Sequence, residues 1–460
     1  MPNQENSSLI LTDFMASDNL IASRIFRGKG IALYRIPILS WLFRGLLALI
    51  LLMSFRTFQG FPGMRYLQEV WFVLCWLAFA FFFLPWKAKL GLRFSAFESY
   101  ILLLMFASTF VSSWCAWREF GQPISYGILI GRGAGAFVVG LLCINVLRRR
   151  IVRLADIEAA LLFLAWSTFA LYSTMRLTLN PANFISYGVA FVAGGDSVAK
   201  ATFKLPPYLI IFGAIYYALH GIRTRRIGFY FAAGILFLFG ADGLTERALT
   251  LSFAMTLLFF LFCWRRTGDF IIAAGKFLCV ATLATVVAWI VSPNSISARA
   301  SKFSDAFTVV LTGSNVEDSS ANTRLIESVM ALPYIQKHPM LGNGAISHQW
   351  NGGAQGTVGD YFYETDLGVI GVVFSYGAIG FLIYALQYPF ALRSSIRVRA
   401  VQHSPMLDAT KGFVLFTALF SLTTGFFVWN AEITLFFVAL LIGIARQMES
   451  NEEHAIPDVP

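Results

Sequence analysis

The chain has 460 residues, of which 57% are hydrophobic and only 13% are charged. A soluble domain carries about 25% charged residues, so this composition excludes an ordinary soluble enzyme, a disordered chain and a secreted disulfide scaffold. The net charge of +10 would suggest nucleic-acid binding in a soluble chain. In a membrane protein, basic residues instead set the topology, and no nucleic-acid partner is expected.

Twelve apolar blocks follow one another along the chain, and most have the length of about 20 residues that crosses a bilayer. They lie at 38–55, 66–86, 96–117, 124–147, 157–173, 206–222, 227–241, 247–264, 270–291, 368–391, 411–428 and 431–446. Because lipid offers no partners to backbone polar groups, these blocks predict helices. The predicted fold is an all-α polytopic membrane protein with about 12 transmembrane helices.

The charged loops predict the orientation of these helices. With a cytoplasmic N-terminus, most lysines and arginines fall on the cytoplasmic side, as the positive-inside rule requires. Residues 1–37 then form a cytoplasmic segment, 38–446 the transmembrane domain and 447–460 a cytoplasmic tail. Both termini are expected in the cytoplasm.

Two long loops are predicted on the external side, the third (174–205) and the fifth (292–367). The fifth is too long for a simple connection, and we expect it to fold over the membrane surface as a lid. No predicted cytoplasmic loop could hold a nucleotide-binding domain, which excludes ATP hydrolysis by this chain.

Two arginines stand at candidate anion sites. Arg247 opens the eighth block after a tight external turn, and Arg324 lies on an amphipathic helix that ends at Pro339 before the glycine turn Gly342-Asn343-Gly344. An arginine guanidinium binds phosphate oxygens with two hydrogen bonds and keeps its charge. The alternatives are a snorkelling Arg247 at the interface and a surface ion pair of Arg324 with Glu327.

Three carboxylates, Asp360, Glu364 and Asp366, lie just before the tenth block. A partly buried carboxylate with a raised pKa could act as general base toward a sugar hydroxyl. The alternative is a charged helix entrance, because acidic groups are favoured near a helix N-terminus.

Further cations lie within or beside the external side. Arg132 stands in the small-residue run GRGAG, about two turns into the fourth block. Either Arg132 contacts the same anion, or the small residues of this run serve close helix packing. Arg176 and Arg299 make the two long loops cationic, which suits capture of an anionic substrate but also fits solvated charge. His338 and His348 have no metal-ligand spacing, so neither a metal nor a cofactor is expected.

Three segments then resemble a known family in their order and spacing. They are LTERALTLSFAMTLLFFL at 244–261, RLIESVMALPYIQKHPMLGNG at 324–344 and DLGVIGVVFSYGAIGFLIY at 366–384. Together with the predicted topology they resemble the bacterial O-antigen polymerase and O-antigen ligase superfamily. The resemblance covers residues 225 to 446, and the first six blocks agree in topology alone.

Within this superfamily, ligases carry a His-Asn pair about eleven residues before the first glycine of the last segment. Counting back from Gly368 gives Thr357 and Val358, and His348 lies nine residues earlier. The chain therefore resembles a Wzy-type polymerase more than a ligase.

The resemblance implies a glycosyltransferase of the inner membrane that joins undecaprenyl-diphosphate-linked oligosaccharide repeats on the periplasmic face, in contact with membrane lipids. It implies diphosphate binding by Arg247 and Arg324, assisted by Arg132, Arg176 and Arg299. Asp366, Glu364 or Asp360 would be the base, and a separate membrane protein would control chain length. The alternatives are a ligase-type transferase and a flippase or other transporter of lipid-linked oligosaccharides, which would place charges deeper in several helices.

Overall fold

The computed structural model describes residues 37–57, 64–89, 91, 93–149, 151–187, 190–193, 200–203, 205–240, 247–263, 319–397 and 404–453. Within these ranges the chain is a bundle of helices with one short β-hairpin. The predicted all-α fold class is confirmed for this part of the chain.

The N-terminal helices follow the apolar blocks. They are α1 (Pro37–Ser54), α2 (Met64–Ala78), α3 (Leu84–Lys89), α4 (Ala96–Phe106), α5 (Ser112–Phe120), α6 (Ile124–Gly131), α7 (Val138–Arg148) and α8 (Leu154–Thr178). Short turns of π-helix (Phe79–Phe83 and Ala107–Val111) and a 3₁₀ stretch (Arg132–Phe137) join α2 to α3, α4 to α5 and α6 to α7. Each pair therefore forms one long helix.

The predicted third external loop contains regular structure. A 3₁₀ segment, Pro181–Tyr187, precedes strands β1 (Ala190–Ala193) and β2 (Lys200–Phe203), which pair antiparallel with Ala190 opposite Phe203. Three helices follow: α9 (Tyr208–Thr224), α10 (Ile227–Ile235), which a π-helical turn extends to Gly240, and α11 (Arg247–Cys263).

The described part of the predicted fifth external loop folds onto the bundle. It contains α12 (Ser319–Lys337), as the sequence predicted, then α13 (Gly353–Val358) and a 3₁₀ segment (Glu364–Leu367). The remaining helices are α14 (Val369–Ala385), α15 (Gln387–Arg397), α16 (Pro405–Thr424), α17 (Phe426–Trp429) and α18 (Ala431–Glu453).

Six helices of the described chain are long and apolar enough to cross a membrane. They span Tyr66–Lys89, Ala96–Phe120, Ile124–Arg148, Leu154–Thr178, Val369–Arg397 and Pro405–Thr424. Five other predicted spans fall on the helices α1, α9, α10, α11 and α18, and the span at 270–291 lies outside the described residues. The count of twelve stays a prediction.

Helix α18 forms the centre of the bundle, because residues 431–445 are all buried. Its Phe437 ring contacts Phe55, Phe212 and Phe413 at centroid distances of 5.7, 5.0 and 4.3 Å. In a bilayer such close packing, rather than removal from water, holds helices together. The aromatic contacts thus join α9, α16 and the end of α1 to the central helix.

One contact at each end of the bundle shows which helix termini lie together there. Where α1 ends and α9 begins, the Tyr172 hydroxyl donates to the carbonyl oxygens of Thr57 and Pro206, at 2.8 and 3.1 Å. We name this the α1–α2 end. At the other end, where α9 leads into α10, Arg223 pairs with Asp408 at 2.6 Å. We name it the α9–α10 end.

Helix α14 is interrupted at Gly377, whose φ is +66°. The chain between Pro339 and Gly344 lies in the gap and pairs with the interrupted backbone. Four hydrogen bonds join Ala378 N to Pro339 O (2.8 Å), Ile379 N to Met340 O (3.0 Å), Asn343 N to Phe374 O (2.9 Å) and Gly344 N to Ser375 O (2.8 Å). Broken helices are tolerated in membranes only where such partners exist.

The predicted glycine turn makes this insertion possible. Gly342 and Gly344 have φ of +70° and +84°, a region that favours glycine. A Cβ on Gly344 would lie 2.3 Å from the nitrogen of Ala116 and from the oxygen of Ser112, so the loop passes directly over α5. Glycine at these two positions thus permits both the positive φ and the close approach of two backbones.

Candidate functional site

A cavity of about 370 Å³ opens among the helices at the α1–α2 end. Its walls combine charged, hydroxyl, amide and aromatic side chains from distant parts of the chain. The residues that carry its chemistry are Arg56, Gln68, Glu69, Phe72, Ser108, Arg132, His348, Glu364, Tyr376, Tyr384, Trp429 and Glu432. Its size is that of a small-molecule site.

Arg132 enters this cavity from the 3₁₀ stretch between α6 and α7. Its Nε and Nη2 both donate to the carboxylate of Glu69 on α2, and its Nη1 donates to the Leu129 carbonyl. A two-point pair of this kind fixes the guanidinium plane. Arg132 is therefore positioned at the wall of the cavity, and its contact with an anion stays a prediction.

The structure confirms the other prediction for this run, close packing through small residues. A Cβ on Gly135 would lie 2.6 Å from the Trp76 ring, and one on Gly133 would meet Phe72 at 3.6 Å. The Trp76 indole donates to the Arg132 carbonyl at 3.0 Å. Small residues thus bring α2 close enough for Glu69 to reach Arg132.

Arg56 and Glu432 form a second ion pair on the wall, with Nε and Oε1 2.5 Å apart. The Glu432 side chain is only 2% exposed, and that of Arg56 is 18% exposed. Arg56 has a φ of +54°, which is uncommon for a residue with a side chain and often marks a functional position. The bond joins the end of α1 to the start of α18.

Glu364 is the one of the three predicted carboxylates that is buried and lines the cavity. Burial raises the pKa of this carboxyl to about 7, and the nearby charge of Asp366 adds to the increase. Asp360 and Asp366 are exposed and are not among the described lining residues. The geometry thus shifts the candidate base from Asp366, named first by the sequence, to Glu364.

Glu327 supports the segment that carries Glu364. Its side chain is buried, and its Oε1 accepts a hydrogen bond from the backbone N–H of Tyr363 at 3.3 Å. Burial, followed by the charge of Asp366, raises the pKa of Glu327 to about 7, although Arg324 acts in the opposite direction. The alternative for Arg324, an ion pair with Glu327 at the surface, does not describe this carboxylate, because Glu327 is buried and holds the backbone before Glu364.

His348 reaches the same cavity from the loop that crosses α14. Hydrogen bonds from Ala345 N to Ser112 Oγ (2.9 Å) and from Ser347 N to Gln122 Oε1 (2.7 Å) hold the preceding residues. His348 itself is exposed. Spacing to Gly368 alone gave no reason to expect His348 beside Glu364.

The remaining predicted cations lie elsewhere. Arg324 is exposed on α12, and Arg176 is half-buried in the last turn of α8; neither is among the described lining residues. Arg247 begins α11, but its side chain lies outside the described residues, and so does all of Arg299. Of the five predicted arginines, the structure brings Arg132 together with Glu364.

Three charged residues of the described lining escaped the sequence interpretation: Arg56, Glu69 and Glu432. A signal for two of them exists, because Glu69 and Glu432 are acidic residues in or beside apolar blocks, where charge is costly and commonly functional. In the described part of the chain, no group of three or more His, Cys, Asp or Glu residues could hold a metal ion.

As a whole the cavity balances its charges. Each guanidinium is paired with its own carboxylate, and Glu364 titrates near neutrality. An anion can therefore bind Arg132 fully only if Glu69 gives up its hydrogen bonds. Aromatic rings of Tyr376 and Trp429, 6.0 Å apart, offer flat apolar faces beside these polar groups.

The comparisons with known proteins add no relative to this picture. No protein-family model matches the chain, and neither a curated protein nor a solved structure is significantly similar to it.

Proposed function

We propose that this chain is a membrane-embedded glycosyltransferase that joins undecaprenyl-diphosphate-linked oligosaccharide repeats. The observation that carries the proposal is the cavity in which Arg132, Glu364 and aromatic rings meet at one end of an apolar bundle. A guanidinium suits a diphosphate leaving group, a carboxyl titrating near pH 7 suits proton transfer from a hydroxyl, and ring faces suit sugars.

In this reaction the glycan C1–O bond to the donor diphosphate breaks, and a new bond forms between C1 and the hydroxyl oxygen of the incoming repeat. The hydroxyl proton passes to ionised Glu364. Arg132 stabilises the negative charge that develops on the diphosphate. The lipid diphosphate is already an activated donor, and the protein supplies position and charge.

The membrane arrangement belongs to the same proposal. The apolar blocks and the distribution of basic residues support twelve spans and cytoplasmic termini, and the resemblance to the polymerase superfamily supports residence in the bacterial inner membrane. Under this topology the α1–α2 end and its cavity face the periplasm, where the lipid-linked repeats are polymerised. A separate membrane protein would set the chain length.

A second candidate is a ligase-type transfer of the finished glycan to another acceptor. One observation favours it: His348 lines the same cavity as Arg132 and Glu364, so a histidine base is within the site even though its sequence position differs from the ligase pattern. The two candidates share a donor and differ in acceptor and base.

The first test is the profile of surface glycans and lipid-linked intermediates in a strain lacking the chain. Single repeats that accumulate while long chains disappear support polymerisation. Polymer of normal length that stays on undecaprenyl diphosphate outside the membrane supports the ligase, and single repeats held on the cytoplasmic face point to a flippase.

Complementation then tests the site. We expect R132Q to restore no long chains and R132K to restore little, because lysine lacks the planar fork. K89Q, which removes an exposed charge at the α9–α10 end, is the matched control and should restore normal chains. Normal polymer from R132Q, with the protein present in the membrane, would contradict the assignment of Arg132.

A further inference from the structure

A second cavity, of about 440 Å³, lies toward the α9–α10 end of the bundle. Its walls come from α8, α9 and α10 and include four apolar or aromatic side chains and one arginine. The lining residues are Trp166, Tyr217, Arg226, Gly228, Phe229 and Ala232. None of them belongs to the cavity at the α1–α2 end, so the two cavities are distinct sites.

Two polar groups in the walls of this groove bind each other. The Trp166 indole donates to the Tyr217 hydroxyl at 2.9 Å, and the Tyr217 and Phe229 rings stack with centroids 6.2 Å apart. Trp166 lies twelve residues after the start of α8, which is roughly 18 Å along the helix axis. The interior therefore offers a hydrogen-bonded, apolar lining that reaches from the bundle end toward its middle.

The groove opens onto a surface of exposed apolar side chains. Phe163, one turn before Trp166, is 66% exposed, and Ile227 and Phe231 on α10 are also exposed. In a chain with six helices able to span a bilayer, such a surface contacts lipid. A lipid chain could enter the groove from the side without crossing water.

The mouth of the groove carries positive charge. Arg226 is exposed and precedes the first residue of α10, where the helix dipole also favours an anion. An arginine at the end of an apolar groove matches a molecule with a phosphate at one end and a hydrocarbon chain at the other. This pairing of charge and apolar surface distinguishes the groove from the rest of the lipid-facing surface.

We propose that the groove between α8, α9 and α10 binds one anionic phospholipid of the surrounding bilayer, with its phosphate on Arg226 and an acyl chain between Trp166 and Phe229. The bound lipid ties the loop between α9 and α10 to the membrane. The proposal needs the bilayer but does not rest on glycan transfer.

Gly228 provides a direct test, because a Cβ at this position meets nothing within 4 Å and its φ is not in the left-handed region. A leucine side chain in G228L would therefore fill the groove without displacing its walls. Gly45 on α1 is equally unobstructed and is exposed. G45L is the matched control for adding the same side chain to a lipid-facing helix.

The experiment is native mass spectrometry of the delipidated full chain, titrated with phosphatidylglycerol or with phosphatidylcholine of the same acyl chains. Both lipids carry the phosphate, but the choline cation of phosphatidylcholine offsets the negative charge that attracts Arg226. Wild type should therefore retain one phosphatidylglycerol about fivefold more tightly than phosphatidylcholine. R226Q should abolish the preference for phosphatidylglycerol, and G228L should lower the affinity for both lipids. The controls K89Q and G45L should bind both lipids as wild type does.

Three results would overturn the proposal. Equal binding of both lipids, unchanged in R226Q and G228L, would mean non-specific lipid contact only. Glycerol phosphate competing as well as the intact lipid would show that no acyl chain is bound. A polyprenyl phosphate that displaces phosphatidylglycerol and binds more tightly would identify a different occupant. Loss of activity in the glycan assay has no bearing on these outcomes.

Discussion

Glu69 holds the guanidinium of Arg132 by two hydrogen bonds, one from Nε and one from Nη2, across the junction of α2 with the 3₁₀ stretch before α7. Both side chains are about one-third exposed, at 32% for Arg132 and 36% for Glu69. The pair therefore stands at the open wall of the cavity, where an incoming anion would compete with the Glu69 carboxylate for the same donors.

This competition predicts that E69Q binds a diphosphate more tightly than wild type. A neutral amide holds Arg132 less strongly than a carboxylate, so less free energy is lost when the ligand takes over the guanidinium. Farnesyl diphosphate is a suitable soluble probe for calorimetric titration of the purified chain. We expect a gain of about tenfold in affinity.

Two variants make the test of Glu69 specific. R132Q should bind farnesyl diphosphate more weakly than wild type. D360N should leave this affinity unchanged, because it neutralises an exposed carboxylate outside the described cavity wall. An affinity of E69Q equal to that of wild type would show that the Glu69–Arg132 pair stays intact when the anion binds.

The raised pKa of Glu364 and Glu327, both about 7, predicts a pH-dependent stability. Between the ordinary carboxyl value of 4.5 and about 7, the folded chain binds more protons than the unfolded chain. Its free energy of unfolding therefore falls as pH rises through this window. Burial favours the neutral, protonated form of each carboxyl. The decrease in the free energy of unfolding is therefore complete above pH about 7.

Scanning fluorimetry of the purified chain from pH 4.5 to pH 8 measures this effect. We expect the Tm of wild type to fall across the window, the Tm of E364Q and E327Q to fall less, and that of the double variant to fall least. D360N should keep the wild-type slope. A wild-type slope in the double variant would mean that other groups carry the pH dependence.

The glycine turn that crosses α14 predicts an unequal cost for two glycine substitutions. Gly344 and Gly121 both have positive φ, +84° and +73°, but a Cβ on Gly344 meets the backbone of Ala116 at 2.3 Å, whereas one on Gly121 meets nothing within 4 Å. G121A should cost about 1 kcal/mol, the strain of the left-handed conformation alone.

G344A should cost several times more, since rigid backbone cannot give way as a side-chain end can. Thermal unfolding of both variants measures the difference. The same variant should also reduce activity in the glycan assay, because the loop after Gly344 forms part of the cavity wall through Ala345, Ser347 and Gln349. Equal unfolding midpoints would mean that the loop moves away from α5 without loss.

How much of this could be predicted from the sequence depends on the range of each interaction. The helix of Arg324, the turn at Gly342 and the small-residue packing beside Arg132 follow from local patterns, and all three are present. The partner of Arg132 lies 63 positions away, and no local pattern links the two. Neighbouring carboxylates such as Glu364 and Asp366 differ in burial only once α12 and α16 pack against the 3₁₀ segment that carries both of them.

The base assignment gives the prediction that separates the two proposed functions. Glu364 is buried and has a pKa of about 7. At neutral pH its ionised form is therefore populated and can take the proton from the attacking hydroxyl of the incoming repeat. His348 is exposed and lines the same cavity.

We expect E364Q to abolish long chains in the complementation assay and H348N to keep a chain-length profile close to wild type. E364D, which keeps the acid but shortens it, should retain part of the activity, whereas a purely structural role would let E364Q function as well as E364D. Loss of transfer in H348N with normal activity in E364Q would move the base to His348 and favour the ligase-type reaction.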